Sequence, residues 1–343
     1  IKWLSVVVVT FLALVIRIQY IDQTEFFWAV QGDANRYIRY AGNLLEYGVF
    51  SMDRSGGSMP ASDAYRTPGY PVYIAIIAYL NSIPGKSVFV PLIYNLSSTP
   101  VDLVFWPLVH SQAILGALTA GLTVLLGVLF LRLSWAVCAG LLVAISPHLV
   151  AIGANILSET LFTFVLLLST YLFALAFKSK KAILWVIGGI SFGIGYLVNP
   201  VVLFSPVLLF LYTMLFSRKC NSDLSKKLNR GLLMFLFSFF LVLSCWSARN
   251  AISLPSDARS GSDRLLINLI QGSYSNFHSV WRNNPRDPNN PATLESNEVG
   301  GAINVFIKRF IRRVNDNPAD YAKWYFFQKP LLLWDWNILV GQG

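Results

Sequence analysis

SETLFTFVLLLSTYLFALAFKSKK, residues 158–181, decides what kind of molecule this chain is. From Thr160 to Phe177 it carries no charge, and a run of about 20 mostly apolar residues is what a helix needs to cross the hydrocarbon core of a bilayer. Lys178, Lys180 and Lys181 close the run, and lysines clustered at the end of a span mark its cytoplasmic side. Ser158 and Glu159 are therefore expected to open it on the outside.

The same pattern recurs along the chain. Residues 3–20, 105–131, 134–153, 182–199, 200–217 and 231–252 form further apolar runs, so about seven spanning helices are expected. Composition agrees: 55% of the 343 residues are hydrophobic, 14% aromatic and only 13% charged, against about 25% charged in soluble domains. The expected class is an all-α polytopic membrane protein. The net charge of +10 sits mainly in short connectors between apolar runs, as the positive-inside pattern requires, and no basic, aromatic-interleaved face speaks for nucleic acid. Cys138, Cys220 and Cys245 are scattered, which speaks against a disulfide framework or a cysteine zinc site.

Orientation follows from the basic connectors. Arg218 to Arg230 holds five Lys or Arg and belongs with Lys178–Lys181 on the cytoplasmic side. Gly69 to Ile83 is apolar but short, proline-flanked and rich in tyrosine, and is expected to lie at the outer interface. Residues 1–253 then form a transmembrane module with an external loop over 21–104. Residues 254–343 form an external segment leading to further helices beyond the end of this chain. On this count the Asp33 loop, the Ser158-Glu159 turn, the Asn199-Pro200 break and everything after about Ser253 share one face.

The polar residues gathered there suggest chemistry. After Asp33, Tyr37, Ala41, Leu44 and Leu45 recur at helical spacing from Ala34 to Tyr47, placing Asp33 at or near a helix N-cap. It is either that cap or a general base facing the membrane surface. Tyr65-Arg66-Thr67-Pro68-Gly69-Tyr70-Pro71 stiffens the entry to the interfacial helix. Arg66 either snorkels to headgroups or forks onto a phosphate, and Arg36 can serve the same anion. Glu159 is either ordinary helix-start chemistry beside Ser158 or a cavity acid. Asn199-Pro200 reads as a tight turn or kink, and Arg249 either snorkels or reaches into the same site. His110, His148 and His278 show no metal-ligand spacing. No phosphate-cradling glycine loop or nucleophile elbow occurs, so an activated donor is expected to reside in the membrane.

Toward the C-terminus, Arg282 to Pro291 is dense in Asn and Pro and reads as a loop. Val299 to Val314 reads as an amphipathic helix with Ile303, Phe306, Ile307 and Phe310 on one face, its Lys and Arg contacting headgroups or an anionic lipid carrier. Tyr321 to Trp336 resembles an interfacial aromatic belt.

Taken in order, Asp33-Ala34-Asn35-Arg36-Tyr37, Arg66-Thr67-Pro68-Gly69-Tyr70-Pro71, Leu157-Ser158-Glu159-Thr160-Leu161-Phe162 and Trp246-x-x-Arg249-Asn250 resemble the bacterial GT-C glycosyltransferases. These are related to protein O-mannosyltransferases and lipid A aminoarabinose transferases. The resemblance covers about residues 1–260. It implies seven spanning helices with two juxtamembrane helices after the first, and inverting transfer from a polyprenyl-phosphate sugar to an acceptor lipid, glycan or protein of the cell envelope. It gives Asp33 the role of base or acceptor orienter, Arg36 and Arg66 the donor phosphate, and Glu159 a place on the cavity wall, which Tyr37, Tyr65, Asn199 and Arg249 are expected to share. No cofactor is called for, with a divalent metal left open. The setting is the bacterial inner membrane, with the active site facing the periplasm among membrane lipids. Two positions depart from the family pattern: Ala34 follows Asp33 where relatives often carry Glu, and Asn199 stands where many carry Arg. A lipid-linked glycan transporter or flippase is the rival expectation; it calls for inverted repeats and charges at the membrane midplane.

Overall fold

The computed structural model describes residues 1–26, 30, 32–53, 59–92, 103–217, 222–255, 258–284, 287 and 289–334. Every regular element among them is helical, as the sequence predicts. The chain divides into two compact units, residues 1–63 with 67–256, and residues 64–66 with 257–343.

In the first unit the apolar runs become α1 (Lys2–Gln23), α4 (Phe105–Gly127), α5 (Leu133–Ile145), α6 (Pro147–Gly153), α7 (Glu159–Ser179), α8 (Ala182–Val198), α9 (Ser205–Ser217) and α10 (Ser222–Ser253). Between α1 and α4 lie α2 (Asp33–Tyr47), α3 (Gly69–Leu80) and a 3₁₀ stretch, Gly85–Leu92. Four helices, α1, α4, α7 and α10, are long and apolar enough to cross a membrane, and the pair α5 and α6 makes five if taken as one bent span. Seven were expected. Ala182–Val198 and Pro200–Phe216 are apolar but have only 17 residues each, about 26 Å of helix against a hydrocarbon core of about 30 Å. The chain is a multi-pass membrane protein whose number of crossings rests on these two short helices. α3 has 12 residues, about 18 Å, too short to cross unaided.

The run 134–153, expected as one helix, is broken. Pro147 lacks an N–H and pushes the preceding residue out of helical conformation, and Ser146 sits at φ −59°, ψ 114°. The two halves meet at 51°. The break strands carbonyls at the end of α5, and buried Arg17 of α1 takes them: its Nη1 donates to Ala144 O at 3.1 Å and to Ala13 O at 3.0 Å, and its Nη2 to Val143 O at 3.2 Å.

Three apolar clusters hold the first unit. Val9 and Ala13, Ala117, Ala120 and Val124, and Ala136 and Ala144 bring α1, α4 and α5 together. Tyr37, Ile38, Tyr70, Ile74, Phe105 and Ile156 bury α2 and α3 against α4 and the turn before α7. Trp185, Phe192, Phe235 and Phe239 pack α8 on α10. The last contact depends on small residues, because a Cβ at Gly189 would lie 2.2 Å from Phe235 O and one at Gly193 2.6 Å from Val242 Cβ. Small residues four apart let two helices approach closely where no water drives them together. Outward-facing Trp3, Val7, Phe11, Leu208 and Phe237 remain exposed, as suits surfaces wetted by lipid.

The second unit holds α11 (Gly261–Ser273), α12 (Phe277–Asn283), α13 (Pro291–Val299), α14 (Ile303–Asp316), α15 (Pro318–Lys323), a π-helical turn (Trp324–Gln328) and α16 (Lys329–Trp334). Its core is Leu266, Ile270, Ala292, Val299 and Phe306. Ser260 caps α11 through a reciprocal box with Asp263, whose Oδ2 accepts from Ser260 N at 2.7 Å.

Several expectations need correction here. His278 lies in α12 instead of a polar loop. The amphipathic helix begins at Ile303, with Val299 ending α13, and of the expected apolar face Phe306 is buried while Ile303 and Ile307 are exposed. Its basic residues are not all turned to headgroups, since Arg309 pairs with Glu298 and Arg313 with buried Glu295, each at 2.6 Å. The expectations for Arg218, for Cys220, for the middle of the Arg282–Pro291 loop and for the end of the aromatic belt fall on residues outside the described set.

Candidate functional site

Gly32 occupies the N-cap of α2 at φ 52°, and Asp33 is the first helical residue, with no side-chain capping bond. The expectation of Asp33 as the cap is thus displaced by one residue. Its carboxylate lies 3.6 Å from Nη1 of Arg36, one turn along, and both side chains are about two-fifths exposed. A carboxylate at a helix N-terminus is favoured by the helix dipole, and Asp33 stands there in reach of solvent beside a guanidinium.

Tyr37 follows Arg36 on the buried side of α2. Its hydroxyl donates to Ser158 Oγ at 3.4 Å, and its ring stands edge-on to Tyr70 at 4.9 Å. Ser158 has the N-cap position of α7 but makes no capping bond, so its hydroxyl serves the link to α2 instead. Glu159 is the next residue, exposed, and opens α7. The structure therefore brings the helix starts that carry Asp33 and Glu159 together through Tyr37 and Ser158.

This junction is braced from beneath. Fully buried Tyr70 of α3 donates to Gln112 Oε1 at 2.6 Å, and the amide of Gln112 donates to Gly153 O at 2.9 Å and Asn155 O at 2.8 Å. One tyrosine of the Thr-Pro-Gly-Tyr-Pro segment thus fixes the turn that presents Ser158. Gly69 sits so close to α8 that a Cβ would meet Leu197 C at 2.7 Å, and Thr67 Oγ1 donates to Val198 O at 3.4 Å. Gln112 was not anticipated. Amid an apolar helix it is an amide that must be satisfied internally, and that signal was available in the sequence.

The remaining candidates have defined positions. Asn199 joins α8 to the 3₁₀ turn Pro200–Val202, its side chain accepting from Val201 N at 3.2 Å. Arg249 of α10 donates through Nη1 to Asp63 O at 3.0 Å and through Nη2 to Phe50 O at 3.2 Å. Its guanidinium also lies over the rings of Phe50 and Trp246. Trp246-x-x-Arg249 is therefore a clamp on the loop after α2. Asp63 accepts from Tyr40 and, at 2.7 Å, from Met52 N. Tyr65 and Arg66 belong to the second unit, where both are buried, Arg66 lies over the Tyr65 ring, and Ala64 N donates to Arg259 O at 2.8 Å. Among the described residues no group of three or more His, Cys, Asp and Glu converges as a metal site would require.

No curated protein matches the chain. Residues 85–246 match the model of the family described as dolichyl-phosphate-mannose-protein mannosyltransferase. The matched region contains Ser158, Glu159 and Asn199 and the Gln112 brace, while Asp33, Arg36, Tyr37, Tyr65, Arg66 and Arg249 lie outside it. Over this region, a little under half of the chain, the protein is similar to that family of membrane glycosyltransferases.

Proposed function

We propose that the protein transfers a sugar, with inversion, from a polyprenyl-phosphate carrier to an envelope acceptor at the periplasmic face of a bacterial inner membrane. The observation that carries this is the Asp33–Arg36 pair at the start of α2, a helix that the Tyr37–Ser158 contact ties to the start of α7, where Glu159 stands. Asp33 takes the proton of the acceptor hydroxyl as its oxygen attacks the anomeric carbon. The bond from that carbon to the phosphate oxygen breaks, and polyprenyl phosphate leaves with the electron pair. Arg36 meets the negative charge that grows on the leaving phosphate, a task for a pre-placed donor. As it turns to the phosphate, the Asp33 carboxylate is released to act as base. The role of Arg66 on the same phosphate is proposed from its motif alone. Glu159 lines the acceptor side.

One observation bears on the transporter alternative: α5 and α6 form a broken helix with a buried arginine at the break, features that transporters use at their sites. Here Arg17 is engaged by backbone carbonyls. The cavity beside it, lined by Gly116, Thr119 and Thr160, holds about 20 Å³, room for about one water. That favours a structural latch over a passage.

The test is mass spectrometry of lipid-linked sugars from cells lacking the gene, complemented with wild type or Asp33→Asn. One polyprenyl-phosphate sugar should accumulate and be cleared by wild type alone. Clearance by Asp33→Asn would refute the base assignment, and unchanged lipid-linked sugars would refute the transferase.

A further inference from the structure

Within the second unit, two helix junctions meet, α11 to α12 and α14 to α15. Between them lies an open groove of about 360 Å³, lined among others by Tyr274, Asn276, Asn317, Asp320, Tyr321 and Trp324. We propose that this groove binds the polyhydroxyl face of a carbohydrate. As the seat of a glycan acceptor it rests on the transferase reading; as a binding site it does not.

The chemistry of the lining selects the ligand. Asn276, Asn317 and Asp320 are exposed, and their side-chain amides and carboxylate make no hydrogen bond to any described residue. An amide both donates and accepts, and a carboxylate accepts twice, which matches neighbouring hydroxyls on a pyranose ring. Half-buried Tyr321 supplies an aromatic ring with a polar tip, suited to the C–H face of a sugar, while Tyr274 and buried Trp324 form the wall behind it. None of the lining residues is Lys or Arg, and Asp320 adds negative charge, so a phosphate or other anion is disfavoured. The volume lies in the range of about 300–1,000 Å³ typical of small-molecule sites, but the lining is too polar for an apolar ligand.

The groove is also built to hold its shape. Beneath it Arg313 donates to Glu295 Oε2 at 2.6 Å, to Tyr274 O–H at 2.7 Å and to Ser273 Oγ at 3.0 Å. Burial pushes the Tyr274 phenol up to about 12, against the opposing pull of Arg313, so it stays neutral at physiological pH. On the other wall, Trp324 Nε1 and Lys329 Nζ both donate to Gly272 O at 3.1 Å. Trp324 opens the π-helical turn that runs to Gln328. Such turns are rare and concentrate at functional sites.

Saturation-transfer NMR on the full chain in nanodiscs, with chitobiose and mannobiose as probes, tests the assignment. Saturation should pass to the ring C–H protons of at least one disaccharide, and the double variant Asn317→Ala/Asp320→Ala should bind it about tenfold more weakly. Both side chains are exposed and Asn317 makes no capping bond, so the thermal midpoint should hold. If the double variant unfolds, Asp320→Asn, which removes only the charge, should weaken binding several-fold. No saturation transfer to either sugar, or unchanged binding in the folded variants, overturns the proposal. The binding measurement needs no donor lipid and is read apart from the lipid-linked sugar test: binding with unchanged lipid-linked sugars in the deletion refutes the transferase alone, and donor clearance by wild type without binding refutes the groove alone.

Discussion

The hydroxyl of Tyr37 reaches Ser158 Oγ at 3.4 Å, across 121 residues of sequence. That contact aligns the start of α7 with α2, and Asp33 lies one turn back from Tyr37 on the same helix. Tyr37→Phe removes the hydroxyl but keeps the ring against Tyr70. A long neutral hydrogen bond contributes about 1 kcal/mol or less, so the thermal midpoint should barely move. Turnover should fall by about tenfold, because small displacements of catalytic groups are costly. Thermal unfolding and initial transfer rates, measured on one preparation, separate the two effects; equal losses in both would make Tyr37 merely a packing residue.

Arg17 predicts a different pattern. Its guanidinium holds Ala144 O and Val143 O at the end of α5, next to the break that Pro147 imposes. Arg17→Met keeps much of the bulk but leaves those carbonyls unmade, and hydrogen bonds from a charged donor are worth about 1.5–3 kcal/mol each. The variant should lose about 3 kcal/mol or more, with a clear drop in the melting temperature in detergent. Unchanged stability would show that the break is satisfied by other means.

The helical class was legible because a span is a local property: twenty apolar residues between charges need no partner to be recognised. The break inside residues 134–153 was legible in principle, since Pro147 stands in the run, but its apolar flanks concealed it. At the site, the spacing of Tyr37 and Ala41 placed α2 correctly, and Asp33 fell within one residue of its position. What the sequence could not convey was partnership. Ser158 looked like a cap and is a link to Tyr37, while Arg249 looked like a cavity residue and holds the carbonyls of Phe50 and Asp63. Those partners lie more than a hundred residues away, and no periodicity records them.

The glycines of α8 make a prediction with its own control. At Gly189 an added Cβ would lie 2.2 Å from Phe235 O, whereas at Gly195 it would lie 3.7 Å from Val165 Cγ1, an ordinary contact. Gly189→Ala should force α8 and α10 apart at a cost of about 1–3 kcal/mol. Gly195→Ala should be neutral or slightly stabilising, since alanine is the better helix former by about 1 kcal/mol. Unfolding midpoints of the pair decide it; equal effects would mean that the α8–α10 contact yields more easily than its geometry indicates.

Arg249 ties α10 to the loop after α2 by two backbone carbonyls and by the rings of Phe50 and Trp246. Nearby, Phe50 stacks on Tyr40 at 4.2 Å and meets Trp246 edge-on at 5.3 Å. Removing the guanidinium with Arg249→Ala should release the loop more than it destabilises the helices, because α10 keeps its own packing on α8. Limited proteolysis should then cut within residues 48–53 and 59–63 several-fold faster, while the global melting temperature falls by only a few degrees. Arg249→Lys restores the charge but cannot span two carbonyls with a planar fork, so it should rescue protection only in part. Full protection in the alanine variant would show that Tyr40 and Asp63 hold the loop alone.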